Sequence, residues 1–142
     1  VTTGAVATGT TVVPDDDTIP QKTEGDEYMT LAITPTNASN KLIITVSYNM
    51  THTAGNTFMF GCLFQDTTAN ALATNMGFGT TGTTTPSATL IHYMAAGTTS
   101  STTFKFRLGG HNAGTTSLNG QSGARKHGGV MTSSITITEI KV

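Results

Sequence analysis

The sequence predicts an all-β fold, a β-sandwich or jelly roll, and three observations predict it. Two runs between Gln21 and Met50 alternate apolar and polar residues as strands do, with a turn cluster between them. The same alternation returns in Ser134–Val142. Threonine makes up roughly a fifth of the chain and 16 residues are glycine, while no window carries apolar residues at helical spacing with caps over three turns. β-Branched Thr is stiff about χ1 and suits a half-exposed pleat, so Thr supplies the polar sheet faces and at most a short helical turn is expected. Short threonine-rich strands joined by glycine-rich loops display a surface or build an assembly, which makes binding or architecture the leading functional class.

The 142 residues fit one domain with its own core. Residues 1–25 read as an extended lead-in and residues 26–142 as the sandwich. Only 11% of residues are charged and the formal net charge is -1, so the chain lacks the field that attracts nucleic acid or an acidic bilayer. Cys62 is the single cysteine, which excludes an intrachain disulfide and a multi-cysteine zinc site; it is expected to be a small buried apolar group. No apolar run approaches the ~20 residues of a membrane-spanning helix, and no signal-peptide layout opens the chain, so no membrane insertion is expected. The chain starts at Val1, and we expect it to be a released or excised end of something longer.

Taken in order, Val12 and Val13 are expected to form a short strand before Pro14 and the acidic run Asp15, Asp16, Asp17. Pro14 and Pro20 lack an amide proton, which confines this stretch to an edge or a surface, as a linker or capping arm. In Tyr28–Thr34, Met29, Leu31 and Ile33 share one side and Tyr28, Thr30, Ala32 and Thr34 the other. Pro35-Thr36-Asn37-Ala38-Ser39-Asn40 is a dense set of turn formers. Leu42, Ile44, Val46, Tyr48 and Met50 then line one face of the clearest core strand. Phe58–Phe64 is apolar on both sides, with Phe58, Phe60, Cys62 and Phe64 opposed to Met59 and Leu63. Its second face needs a lid, a loop or another subunit. Ala88–Ala95 has the same mixed character, and two such strands point to an oligomer.

Phe104, Phe106 and Leu108 alternate with Thr103, Lys105 and Arg107. Gly109–Gly129 carries seven glycines and reads either as a hairpin with long loops or as irregular strands near Thr115–Leu118. In the last strand Ile135 and Ile137 fall together and Ile140 and Val142 fall on the other side, which a bulge near Thr138-Glu139 or burial of both faces would explain. Six to nine short strands result, with no internal repeat.

No catalytic constellation is legible. Gly120-Gln121-Ser122-Gly123-Ala124 misses the nucleophile-elbow spacing by one position, and outside the N-terminal third the acids are only Asp66 and Glu139. The chain is therefore expected not to be an enzyme. Asp15, Asp16 and Asp17 lack the Gly and Glu of a calcium loop and read as an exposed acidic turn. His52, His92, His111 and His127 show no metal-ligand spacing; His92, within a strand, is the one that a threefold axis could gather around a metal. No metal and no cofactor are assigned. Asn49-Met50-Thr51 fits a glycosylation sequon, without further support.

Asp17-Thr18-Ile19-Pro20-Gln21, Thr23-Glu24-Gly25, the stretch Leu31-Ala32-Ile33-Thr34-Pro35 through Lys41-Leu42-Ile43-Ile44, and the ending Ser134-Ile135-Thr136-Ile137-Thr138-Glu139-Ile140 resemble the distal domains of bacteriophage tail-fibre and tailspike proteins. The resemblance implies a homotrimeric jelly-roll tip of the tumour-necrosis-factor/C1q kind, carried on the virion tail. Such a tip locks three chains together, binds host cell-surface polysaccharide or lipopolysaccharide, or does both. The competing class is a monomeric carbohydrate-binding module of a secreted bacterial enzyme. A sugar site pairs an aromatic face with planar polar groups on a shallow loop surface. The candidates for it are Tyr93, His111, Asn112, Asn119, Gln121, Arg125, Lys126 and His127. Arg125-Lys126-His127, the basic cluster, either meets an acidic sugar or forms a solvated turn.

Overall fold

The computed structural model describes residues 1–79 and 86–142. Among these, the strands in chain order are β1 (Thr2–Thr3), β2 (Ala7–Gly9), β3 (Asp26–Ile33), β4 (Lys41–His52), β5 (Thr57–Gln65), β6 (Ala73–Gly79), β7 (Ser87–Ala95), β8 (Thr102–Gly110), β9 (Thr116–Leu118), β10 (Gly120–Gln121), β11 (Ala124–Arg125) and β12 (Ser133–Ile140). One sheet runs β1-β12-β4, with β7 on the other side of β4 and with β9 and then β2 continuing from the far end of β4. The other runs β3-β8-β5-β6, and β10 and β11 form a separate hairpin. The protein is all-β, and its helical content among the described residues is a single 3-10 turn at His127–Gly129.

The two main sheets face each other across one core. Leu42, Ile44, Val46, Tyr48 and Met50 on β4, with Leu90 and Ile135, meet Met29, Met59, Leu63, Phe104, Phe106 and Leu108 of the opposite sheet. Every one of these side chains is buried, and each contributes about 1.5–3 kcal/mol before entropy is counted. Tyr48 and Phe106 join the layers with ring centroids 4.6 Å apart. At the hydroxyl end, Tyr48 donates to Asn75 Oδ1, and Asn75 Nδ2 donates to Thr89 O at 3.2 Å, which ties β6 to β7. Burial raises the Tyr48 pKa, so the hydroxyl stays a donor. Gly61 makes this possible, because a Cβ there would collide with the Tyr48 hydroxyl.

Four expectations change. A register shift between Glu27 and Met29 turns Tyr28 inward, where it packs on the core and donates to Thr116 O at 3.1 Å. The parity shift at the C-terminus needs neither a bulge nor double burial, since β12 pairs β4 without interruption from Ser134↔Ser47 to Ile140↔Lys41. Glu139 simply takes the inner-parity place at the sheet end, and Ile140 and Val142 are exposed. There Glu139 Oε1 accepts from Thr36 N, Thr36 Oγ1 and Asn40 Nδ2 at 2.7–2.9 Å, clamping the turn between β3 and β4.

The third change concerns β5. Its outer face, Phe60, Cys62 and Phe64, is covered by Val13 of the same chain, which is 0% exposed. Shelter for this strand therefore comes from the N-terminal arm, and a sister subunit is not needed for it. Val12–Val13 is not a strand; strands form instead at Thr2–Thr3 and Ala7–Gly9, which pair with β12 and β9. Val13 N donates to Gly110 O at 3.1 Å and Gly25 N to Val12 O at 3.0 Å. Gly25 has φ 63°, a conformation that favours glycine, where the arm turns into β3.

Candidate functional site

The sugar-site candidates fall in three separate places. Tyr93, 58% exposed, stands on the outer face of β7 beside Ile91, which is 64% exposed, and opposite Ile43. His111 and Asn112 follow β8 at the edge of the outer face of the other sheet. Gln121 and Arg125 belong to the β10–β11 hairpin, with Lys126 and His127 just beyond it. Outer faces of opposed sheets point apart, so Tyr93 does not join the His111 region.

Asn119 is a correction. It is 1% exposed, and its Nδ2 donates to Thr3 O at 2.8 Å and Ala5 O at 3.3 Å while its Oδ1 accepts from Ser133 Oγ at 2.6 Å. A side chain so enclosed holds the N-terminal arm against the first sheet and is closed to a sugar. Gln121 is half-buried, whereas Arg125, Lys126 and His127 are exposed and form a basic turn.

The His111 region holds more than the sequence reading assigned to it. Phe58 and Phe78 stand opposite each other in the β5–β6 register, with ring centroids 4.9 Å apart and planes at 50°. The His111 ring lies 5.6 Å from Phe58 on its other side, at 44°. Antiparallel pairing brings these rings into a row, because residues opposite each other on one face have adjacent side chains. Phe58 N donates to His111 Nδ1 and His111 N to Phe58 O, both at 3.0 Å. Asn112 Nδ2 donates to Thr57 Oγ1 at 3.3 Å. Phe78 is 45% exposed and Met76, its neighbour on the same face of β6, is 58% exposed. The sequence reading missed Phe78 and Met76 because residues 66–86 show little apolar alternation, and it gave Phe58 to a buried face.

The remaining groups have local duties. Asp16 Oδ1 accepts from Thr18 N at 2.8 Å and Thr18 Oγ1 at 2.5 Å, and the Thr18 hydroxyl holds the Asp16 pKa below its ordinary value. With Asp17, Ile19, Pro20 and Leu72 it lines an open cleft of about 380 Å³. A smaller cleft of about 130 Å³ contains Lys105 and Arg107, each 3.7 Å from Glu27. Asp66 accepts from Thr102 Oγ1 and Thr103 N, both at 2.8 Å. Burial pushes the Cys62 thiol up to about 11, and it lies 3.5 Å from Thr74 Oγ1. His52 is buried and accepts from Ala54 N at Nδ1; burial first, then the neighbouring His111, lower its pKa. His92 shares the inner parity of Leu90 and Met94, and burial lowers its pKa as well. No group of three or more His, Cys, Asp or Glu side chains placed to hold a metal occurs among the described residues.

No family model matches the chain, and no curated protein matches it. Among solved structures, the bacteriophage CBA120 tailspike protein 4 enzymatically active domain aligns over 96% of this chain and 18% of its own, at 14% identity and a TM-score of 0.38. A structure of infectious bursal disease virus, Gx strain, aligns over 97% of this chain and 37% of its own, at 10% identity and a TM-score of 0.37. The chain thus spans well under half of either viral protein to which it is similar, and at these scores neither likeness assigns it a partner or an activity.

Proposed function

We propose that the chain is the distal tip domain of a phage tail fibre or tailspike, a jelly roll that assembles as a homotrimer, binds host-surface glycan and catalyses nothing itself. The observation that carries the reading is the run of tail-fibre-like residues at Asp17–Ile44 and Ser134–Ile140. Strand order supports the jelly roll: β1-β12-β4-β7 opposes β3-β8-β5-β6, so each step from β3 to β8 crosses between the sheets except β5 to β6, which are neighbours in one sheet. The apolar pair Ile91 and Tyr93 supports assembly, since the two side chains are 64% and 58% exposed on the outer face of β7. Three identical weak sites on one tip would act together and raise avidity well above single-site affinity.

The second reading is a monomeric carbohydrate-binding module, and the observation that favours it is the sheltering of β5 by Val13. Light scattering separates the two. A mass three times the 14.7 kDa of one chain is expected, and 14.7 kDa with glycan affinity would install the second reading instead. A glycan array on the intact assembly and on an Arg125→Ala, Lys126→Ala variant tests adhesion; silence in both would leave only a clamp.

A further inference from the structure

We propose that the ring row Phe78, Phe58 and His111, with Asn112 at its end, is a subsite for the apolar face of a neutral pyranose. The inference rests on the glycan-binding reading and places that function on residues outside the basic turn. Sugar C–H bonds stack on the electron-rich faces of aromatic rings, and small-ligand sites combine such surfaces with a few fixed polar groups. Here the rings tile three adjacent positions at 4.9 and 5.6 Å, and Phe78 and Met76 keep the outer part of the row open.

The polar half follows from hydrogen-bond accounting. His111 Nδ1 has two backbone neighbours on Phe58, and the shorter contact, 3.0 Å against 3.4 Å, is to the amide N–H, which can only donate. Nδ1 is thus the acceptor, and the neutral ring carries its proton on Nε2. That donor has no protein partner among the described residues. Asn112 gives Nδ2 to Thr57, and its Oδ1 has no partner among the described residues and can accept. One donor and one acceptor at the end of a ring row match neighbouring sugar hydroxyls, each of which can accept and donate.

Charge and size choose among occupants. The row contains no carboxylate, Lys or Arg, so it fits an uncharged ring, whereas an acidic sugar suits Arg125-Lys126-His127. Two exposed large apolar side chains fall far short of the roughly 800 Å² per partner that a stable protein interface buries.

The test is an NMR titration of the full chain with methyl glycopyranosides of glucose, galactose, mannose and rhamnose, repeated on Phe78→Ala and Phe78→Tyr. We expect shifts at Phe58, Phe78, His111 and Asn112 with at least one sugar, about fivefold weaker binding in Phe78→Ala, and retention in Phe78→Tyr. Shifts confined to Arg125–His127 overturn the subsite and leave glycan binding standing. No shift with any of the four, while a glycan array on the same protein is positive, overturns it in the same way. A negative array as well removes both. A change of assembly mass in Phe78→Ala would make the row a contact between copies and overturn the sugar assignment.

Discussion

β5 and β7 look alike in sequence, each apolar on two sides, yet the molecule treats them differently. Over Phe60, Cys62 and Phe64 the outer face of β5 is roofed by Val13 from the N-terminal arm, while the outer face of β7 leaves Ile91 and Tyr93 in the open. Apolar residues on both sides of a strand demand a cover without saying whose. An arm placed before the first long strand satisfies the demand from within for β5, whereas β7 keeps Ile91 and Tyr93 exposed.

Val13→Asp strikes the roof of β5 directly. It buries a carboxylate against Phe60 and Phe64, and we expect a loss of about 3 kcal/mol or more in urea unfolding. The Cys62 thiol, sluggish in the parent because burial raises its pKa to about 11, should then react faster with a disulfide reagent. An unchanged midpoint and thiol rate would mean that the arm is not the roof.

Gly61→Ala acts on the inner side of the same strand. The added methyl meets the Tyr48 hydroxyl, so about 1–3 kcal/mol should be lost, with Tyr48→Phe restoring part of it in the double variant. Additive losses would show that the two residues do not share one space.

Ile91→Asp is the mirror of the first variant and should cost the isolated chain no more than about 0.5 kcal/mol. If copies pack on β7, the same change lowers the mass by light scattering. A stable trimer that ignores Ile91→Asp would move the contact elsewhere.

The smallest effect is pH-dependent. The amide of Asn40, helped by Thr36, holds the Glu139 pKa below 4.5, so its contribution is present above that value and is lost as pH falls through the lower, folded-state pKa. Glu139→Gln should therefore flatten the acid limb of a stability profile below about pH 4.5. A limb of unchanged steepness would remove Glu139 from the clamp.

Much of the sandwich was legible because β3, β4 and β8 each bury one face, and alternation records that directly. β6 was not, since Thr74, Gly77 and Gly79 interrupt its apolar residues and its stability comes from pairing with β5. Tyr28 misled because a bulge resets parity without any mark in composition. The site was legible only in its polar part. His111 and Asn112 stood out as loop residues, but the ring row depends on Phe58 and Phe78 meeting across two strands, and cross-strand register is invisible to a reading along the chain. Asn119 was misplaced for the same reason, as its partners Thr3 and Ser133 lie far away in sequence.

β12 sits between β1 and β4, so residues 133–140 form an interior strand of the sheet that also holds residues 2–3. Until β12 is ordered, residues 41–47 of β4 keep one edge unpaired and β1 has no strand partner. Closure of this sheet thus depends on pairings between segments far apart along the chain, a topology of high contact order that favours slow folding.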